Sequence, residues 1–273
     1  MDKFYIITNQ SKDRELVTTH RIQRYIEQHG RQCIVASDGK SVPKDTECVL
    51  VLGGDGTLIR AARELRTCKA PLLGINLGTL GYLTEVEVQN IEQALEQLFE
   101  ETPEIEARMM LKGVLNKGQE DVALNDIVVG RAGALRIIHF NIYVNGELLN
   151  SYQADGVIIS TPTGSTGYNL SAGGPIVEPT ASMIVVTPIC SHALNTRSIV
   201  LSAEDEIVVE IGKGRDNRTE IAAVSFDGEQ TIEIYTGDQI VIRRAEDTTK
   251  LFKLSKIKLF RDVEEKDERK LKK

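Results

Sequence analysis

The chain has 273 residues, 41% of them hydrophobic and 27% charged, enough apolar material for two modest domains or one large one. Its net charge of −7 argues against a general nucleic-acid binder, which is normally basic. No apolar run approaches the roughly 20 residues that span a bilayer, and the apolar stretch at the start is too short for a signal peptide.

The first hundred residues alternate strand and helix signals. Residues 4–8 read as a strand. Residues 14–29 read as an amphipathic helix with Leu16, Ile22 and Ile26 toward a core and Gly30 as its stop. Residues 33–36 and 47–52 read as strands, 58–66 as a helix, 71–76 as a strand and 91–99 as a helix. This alternation predicts an α/β domain with a parallel sheet over residues 1–102. After about Thr102 the rhythm changes. Ile138, Phe140, Ile142 and Val144 share one face of a strand, and Asn145-Gly146 then predicts a type I′ hairpin turn. Further strand signals lie at 184–187, 207–211, 221–226, 231–235 and 239–243, with Asp227-Gly228 as a second hairpin signal. Residues 103–250 therefore read as an all-β domain of packed sheets. Residues 251–273 form a C-terminal segment whose end is densely charged with both signs.

Cys33, Cys48, Cys68 and Cys190 are scattered and read as reduced thiols of a cytoplasmic protein. His20, His29, His139 and His192 lack metal-ligand spacing, so no metal-ligating residues are assigned. Neither His192 nor Arg197 receives a role.

Four segments carry chemistry. In the first, the buried-strand pattern Cys48-Val49-Leu50-Val51-Leu52 ends in Gly53-Gly54-Asp55-Gly56-Thr57, and a helical pattern follows at once. Strand, glycine turn and helix cradle phosphate, because glycines let backbone N–H groups approach the anion. An acid beside a phosphate repels it, unless the acid binds a metal or takes a proton from an attacking hydroxyl. That points to phosphoryl transfer. The second segment, Gly74 to Leu83, is another strand running into a glycine-rich turn, and ligands of open α/β sheets collect at such strand ends. The third is Asn125-Asp126 at the head of an apolar strand. It reads as a turn capping its own backbone, or as an amide and a carboxylate offered to sugar hydroxyls. In the fourth, a strand after Asp155 feeds Thr161-Pro162-Thr163-Gly164-Ser165-Thr166-Gly167-Tyr168. Ser171 to Pro175 continues this polar, glycine-dense character. Such a loop offers many small donors and room for close ligand approach.

Together, and in this order along the chain, these segments resemble the bacterial NAD kinase family. The resemblance implies an α/β nucleotide-binding domain, a β-rich domain that holds the dinucleotide and a chain end that returns to the first domain. It implies ATP-dependent phosphorylation of NAD at the 2′-hydroxyl of its adenosine ribose, with Mg²⁺ accompanying ATP and polyphosphate as an alternative donor. Asp55 would orient that hydroxyl and accept its proton. Gly53, Gly54, Gly56 and Thr57 would cradle phosphates, and Asn125 and Asp126 would hold the dinucleotide. Thr166, Gly167, Tyr168 and Ser171 would line its adenine end, with Asp155 toward the nicotinamide. The family also implies a homo-oligomer, commonly a tetramer. Two positions depart from its pattern: Asp126 stands where glutamate is usual, and Gly167 where alanine is usual. Gln153 and Ala154 precede Asp155, where some members carry arginine. The other readings of the same segments are a diacylglycerol- or sphingosine-type lipid kinase, which shares the first motif, and a non-catalytic dinucleotide sensor.

Overall fold

The computed structural model describes residues 1–254 except 67, 79, 80, 102, 134–136, 193–196, 215 and 216. Two compact units divide the chain. Residues 1–107 with 249–254 form the first and Arg108–Thr248 the second. The sequence pattern predicts boundaries at 102/103 and 250/251.

The first unit contains, in chain order, β1 (Lys3–Thr8), α1 (Val17–Gln28), β2 (Gln32–Ala36), β3 (Cys48–Gly53), α2 (Asp55–Glu64), β4 (Leu72–Asn76), the short β5 (Val86–Glu87) and α3 (Ile91–Glu100). The strands pair in parallel in the order β2-β1-β3-β4. β3 and β4 are buried at every position, as expected of parallel strands covered on both faces. α3 buries Ile91, Ala94, Leu95 and Leu98, an i, i+3, i+4, i+7 stripe. After β1 the chain first adds β2 on one side and then returns to add β3 on the other. The carboxyl ends of β1 and β3 thus flank a topological switch point, where ligands of open α/β sheets bind.

Two helices start elsewhere than the sequence predicts. The helix expected from residue 14 is a 3₁₀ turn, Arg14–Leu16, followed by α1, and Glu15 and Leu16 both take positive φ at the break. The cause is Asp13, whose carboxylate accepts hydrogen bonds from the N–H groups of Thr18 (3.0 Å) and Thr19 (2.8 Å) and from the Thr19 hydroxyl (2.6 Å). Those N–H groups belong to the first turn of α1, and their capture fixes the helix start there. α2, in contrast, begins early. Gly54 is extended, and the Thr57 N–H already donates to Gly54 O at 2.9 Å, so Asp55 is the first helical residue.

The second unit is all-β. It follows β6 (Glu104–Leu115) with β7 (Glu120–Ala123), β8 (Asp126–Arg131), β9 (Ile138–Val144), β10 (Glu147–Ala154) and β11 (Gly156–Ser160). After a 3₁₀ turn (Thr163–Thr166) and the one-turn α4 (Tyr168–Ser171) come β12 (Met183–Ile189), β13 (Ile199–Ser202), β14 (Ile207–Ile211), β15 (Ile221–Phe226), β16 (Gln230–Tyr235) and β17 (Gln239–Lys253). One antiparallel sheet has the order β13-β12-β11-β8-β15-β16. The other places β10, β9, β14 and the start of β17 side by side. Inward residues of both sheets share one core, with Phe140 and Ile142 of β9 and Val209 of β14 joining Val129 of β8, Ile159 of β11 and Val224 of β15. Each such buried side chain contributes roughly 1.5–3 kcal/mol. Asn145 and Gly146 both have positive φ, as do Asp227 and Gly228, which fits type I′ turns at both hairpins.

β17 extends far beyond the predicted residues 239–243. Its start pairs with β14 in the second unit, whereas Leu251 pairs in parallel with Leu72 of β4 in the first. Phe252 enters the first unit's core, and Glu85 accepts hydrogen bonds from Lys253 Nζ and Leu254 N, both at 3.2 Å. Ile257, Leu259 and Phe260, with the charged residues 262–273, lie outside the described residues. Burial pushes the Cys48 thiol up and the Cys33 thiol to about 12, which keeps both in the unreactive thiol form. No helix among the described residues is long and apolar enough to cross a membrane.

Candidate functional site

In the first unit the glycine–acid turn sits at the carboxyl end of β3. Gly53 is buried against Thr57: a Cβ at Gly53 would lie 2.3 Å from Thr57 Oγ1, so only glycine fits. Thr57 is itself buried, and its hydroxyl accepts from Asn9 Nδ2 at 3.2 Å. It braces the turn from inside. Gly54 caps α2, and Gly56 is exposed with open space where a side chain would project. The first-turn N–H groups of a helix have no intrahelical partners, so this end of α2 suits an anion. Lys12, from the loop after β1, stands over the same turn. A Cβ on Gly54 would be 3.1 Å from Lys12 Nζ.

Asp55 is half-exposed and organises the second glycine-rich turn. Its Oδ2 accepts from the Tyr82 N–H at 2.7 Å, and its Oδ1 from the N–H groups of Leu83 (3.1 Å) and Thr84 (3.3 Å). Gly81 makes room for this: a Cβ there would fall 2.0 Å from Asp55 Oδ1. The glycine stretch after β4 therefore converges on the acid of the first turn. Thr79 and Leu80 of that stretch lie outside the described residues. A carboxylate has about four lone-pair positions, and three N–H bonds leave one on Oδ2.

In the second unit the Asn125-Asp126 segment meets the Thr161–Tyr168 wall. The Thr161 N–H donates to Asn125 O at 2.8 Å and its hydroxyl to Leu124 O at 2.6 Å. Gly164 permits the contact, because a Cβ there would lie 2.2 Å from Asn125 O. Ser165 and Asn169 are buried and tie the wall together. Ser165 Oγ donates to Pro162 O at 2.6 Å, and Asn169 Nδ2 donates to Ser165 O and Pro175 O. The predicted contact residues are on the other side: Thr166 and Gly167 are half-exposed, and Tyr168 and Ser171 are exposed and share one face of α4. Asn125 Oδ1 is buried without a hydrogen-bond partner among the described residues. Such an atom costs about 1–3 kcal/mol unless a ligand donor satisfies it.

Asp126 and Asp155 have different surroundings. Asp126 is buried, and burial first, with the neighbouring Asp227 carboxylate second, pushes its carboxyl up to about 7. Asp155 is half-exposed, and Arg131 Nη1 of β8 lies 3.7 Å from its Oδ1. The sequence shows no basic neighbour beside Asp155, because Arg131 reaches it across two paired strands. Lys12 and Asp227 were missed for the same kind of reason. The available signals are the carboxyl end of β1 for Lys12 and the hairpin Asp227-Gly228, which by itself reads as a turn alone. Among the described residues, no group of three or more His, Cys, Asp or Glu side chains is arranged to hold a metal ion.

Two family models match the chain: the ATP-NAD kinase N-terminal domain over residues 39–103 and the ATP-NAD kinase C-terminal domain over residues 124–254. The chain belongs to the ATP-NAD kinase family. An NAD kinase of Lachnospira eligens is 47% identical, covering 97% of this chain and 100% of that protein. An NAD kinase of Agathobacter rectalis is 49% identical over 93% of this chain and 94% of its own length. Among solved structures, an NAD kinase from Archaeoglobus fulgidus in complex with ATP superposes with a TM-score of 0.82 at 27% identity, over 97% of this chain and 98% of that one. Yeast NADH kinase complexed with NADH gives 0.84 at 25% identity, over 97% and 87%. Within this family frame, both matched models fall on the segments described above: the N-terminal model contains Gly53–Thr57 and Gly81, and the C-terminal model contains Asn125, Asp155, Thr161–Ser171 and Asp227.

Proposed function

We propose that this protein transfers the γ-phosphoryl group of ATP to the 2′-hydroxyl of the adenosine ribose of NAD, giving NADP and ADP. Asp55 orients that hydroxyl through the remaining lone pair on Oδ2 and accepts its proton. The ribose O2′ forms a bond to the γ-phosphorus as the bond from that phosphorus to the β,γ-bridging oxygen breaks, and the electron pair leaves with ADP. Transition states of this kind are loose, so positioning and charge neutralisation supply most of the acceleration. Gly53, Gly54 and Gly56 hold phosphate against the start of α2, Thr57 keeps that turn in shape, and Lys12 adds positive charge. Mg²⁺ bound to the ATP phosphates would offset their charge.

Asn125 binds the dinucleotide through its amide, with Asp126 behind it. Thr166, Gly167, Tyr168 and Ser171 line the adenine end, and Asp155 lies toward the nicotinamide. The observation that carries this reading is the buried Asn125 Oδ1, without a hydrogen-bond partner among the described residues, beside a wall of hydroxyls and glycines. That wall is polar, which speaks against an acyl-chain pocket. The protein is taken to act in the cytoplasm as a homo-oligomer, a tetramer by family resemblance; light scattering on the purified chain measures the latter.

The test incubates the purified protein with ATP, Mg²⁺ and NAD and measures NADP. Parallel arms replace ATP with polyphosphate and NAD with diacylglycerol. NADP formation is expected. Phosphorylated lipid without NADP would replace this reading with the lipid-kinase one, and NAD binding without turnover would leave a sensor.

A further inference from the structure

The hairpin turn joining β15 and β16 reaches into the segment assigned to dinucleotide binding. Asp227 is the first central residue of this turn, at φ 51°, followed by Gly228 at 74°. Its carboxylate accepts three backbone hydrogen bonds. Oδ2 takes the Leu124 N–H at 2.8 Å, and Oδ1 takes those of Asn125 (2.7 Å) and Asp126 (3.1 Å). The Asp227 N–H returns a bond to Asp126 O at 3.0 Å. Four hydrogen bonds thus connect one residue to three consecutive residues roughly a hundred positions earlier. On its other flank the same segment gives Leu124 O and Asn125 O to Thr161. Its N–H groups face Asp227, and the carbonyls of Leu124 and Asn125 face the wall.

We propose that Asp227 is a positioning residue for dinucleotide recognition: its carboxylate fixes the Leu124–Asp126 backbone and so holds the Asn125 amide where it meets the bound nucleotide. This rests on the assignment of Asn125 to NAD binding. A hairpin turn needs only a residue tolerant of positive φ at this position, and asparagine serves as well as aspartate. The turn geometry therefore does not by itself call for the charge. The three N–H groups do, because hydrogen bonds to a charged acceptor are about twice as strong as neutral ones.

The test uses the full chain carrying Asp227→Asn and, separately, Asp227→Ala. Asparagine keeps the turn and one carbonyl acceptor but sets an amide N–H group against a backbone N–H. Alanine removes the acceptor entirely. Thermal melting reports folding, titration with NAD reports the dissociation constant without turnover, and steady-state kinetics separate KM for NAD, KM for ATP and kcat. For Asp227→Asn we expect the dissociation constant and KM for NAD to rise about tenfold, and more for Asp227→Ala. KM for ATP and kcat at saturating NAD should stay within about threefold. Folded variants with wild-type affinity for NAD overturn the proposal, whatever their melting temperature. If Asp227→Ala does not fold, Asp227→Asn decides alone. If the unsubstituted chain forms no NADP, the proposed reaction falls, and the NAD titration still decides the role of Asp227.

Discussion

Replacing Asp126 with asparagine should stabilise the protein, and by an amount that depends on pH. The Asp126 carboxyl is buried beside Asp227 and ionises near 7, against 3.8 for an unburied aspartate. Below about pH 4 the folded and unfolded chains both hold the proton, and the site costs nothing. Between about 4 and 7 the unfolded chain releases the proton while the native state keeps it, so wild-type stability falls as pH rises through that window. Above 7 both states are ionised and the penalty is constant. At about 1.4 kcal/mol per pH unit, the window from 3.8 to about 7 sets a ceiling of roughly 4 kcal/mol. Asparagine has nearly the same shape and cannot ionise. The melting temperatures of Asp126→Asn and wild type should therefore lie close together at pH 4, and the variant should gain with rising pH, by roughly 5–10 °C at most above pH 7. Thermal scans without nucleotide at pH 4, 5, 6, 7 and 8.5 measure this. A difference that stays constant across the series, or shrinks as pH rises, refutes the reasoning.

Other substitutions separate the remaining roles. Asp55→Asn should lower kcat for NADP formation by about 100-fold or more, with the dissociation constant for NAD within about threefold; near-normal turnover would remove Asp55 from the chemistry. Gly81→Ala places a methyl 2.0 Å from Asp55 Oδ1, so the acid or its loop must move. Kinetics should show kcat falling about tenfold at nearly unchanged KM for NAD. Lys12→Ala should raise KM for ATP about tenfold and leave KM for NAD alone; the opposite pattern would detach Lys12 from the phosphate donor.

What the sequence made legible was local. The apolar run 48–52 ending in glycines announced β3 and its turn, and the alternation at 138–144 announced β9 and the change to an all-β unit. The segments that carry the family pattern were readable because their residues are contiguous. What stayed hidden was any contact made by residues far apart in the chain. Nothing near Asp155 in sequence points to Arg131, which meets it only because β8 and β11 pair with Gly156 opposite Gly130. The burial of Asp126 was equally unreadable. A polar pair at a strand head looks solvent-facing until both flanking strands of its sheet are in place. The early start of α2 is subtler. Helix propensity disfavours Gly56, yet the turn folds because Gly53 can pack directly against Thr57.

One device recurs in the two units. Asp55 accepts the N–H groups of Tyr82, Leu83 and Thr84, and Asp227 accepts those of Leu124, Asn125 and Asp126. In both cases a single carboxylate gathers three consecutive backbone N–H groups, and removing it would strand those donors at about 1–3 kcal/mol for each one that is buried. The two acids nevertheless differ in what they can do next. Asp227 faces a second carboxyl across a buried contact, which suits a fixed support. Asp55 is half-exposed at the head of a helix, with one lone pair unused, which suits an acid that both holds its loop and receives a proton. A neutral substitution at Asp55 therefore disturbs two things at once. Asp55→Asn can keep the acceptor for Leu83 and Thr84 and lose the one for Tyr82, whereas Gly81→Ala strains the loop and leaves the acid intact. If positioning alone governed activity, the two variants would fall together. If Asp55 also takes the proton, Asp55→Asn falls much further.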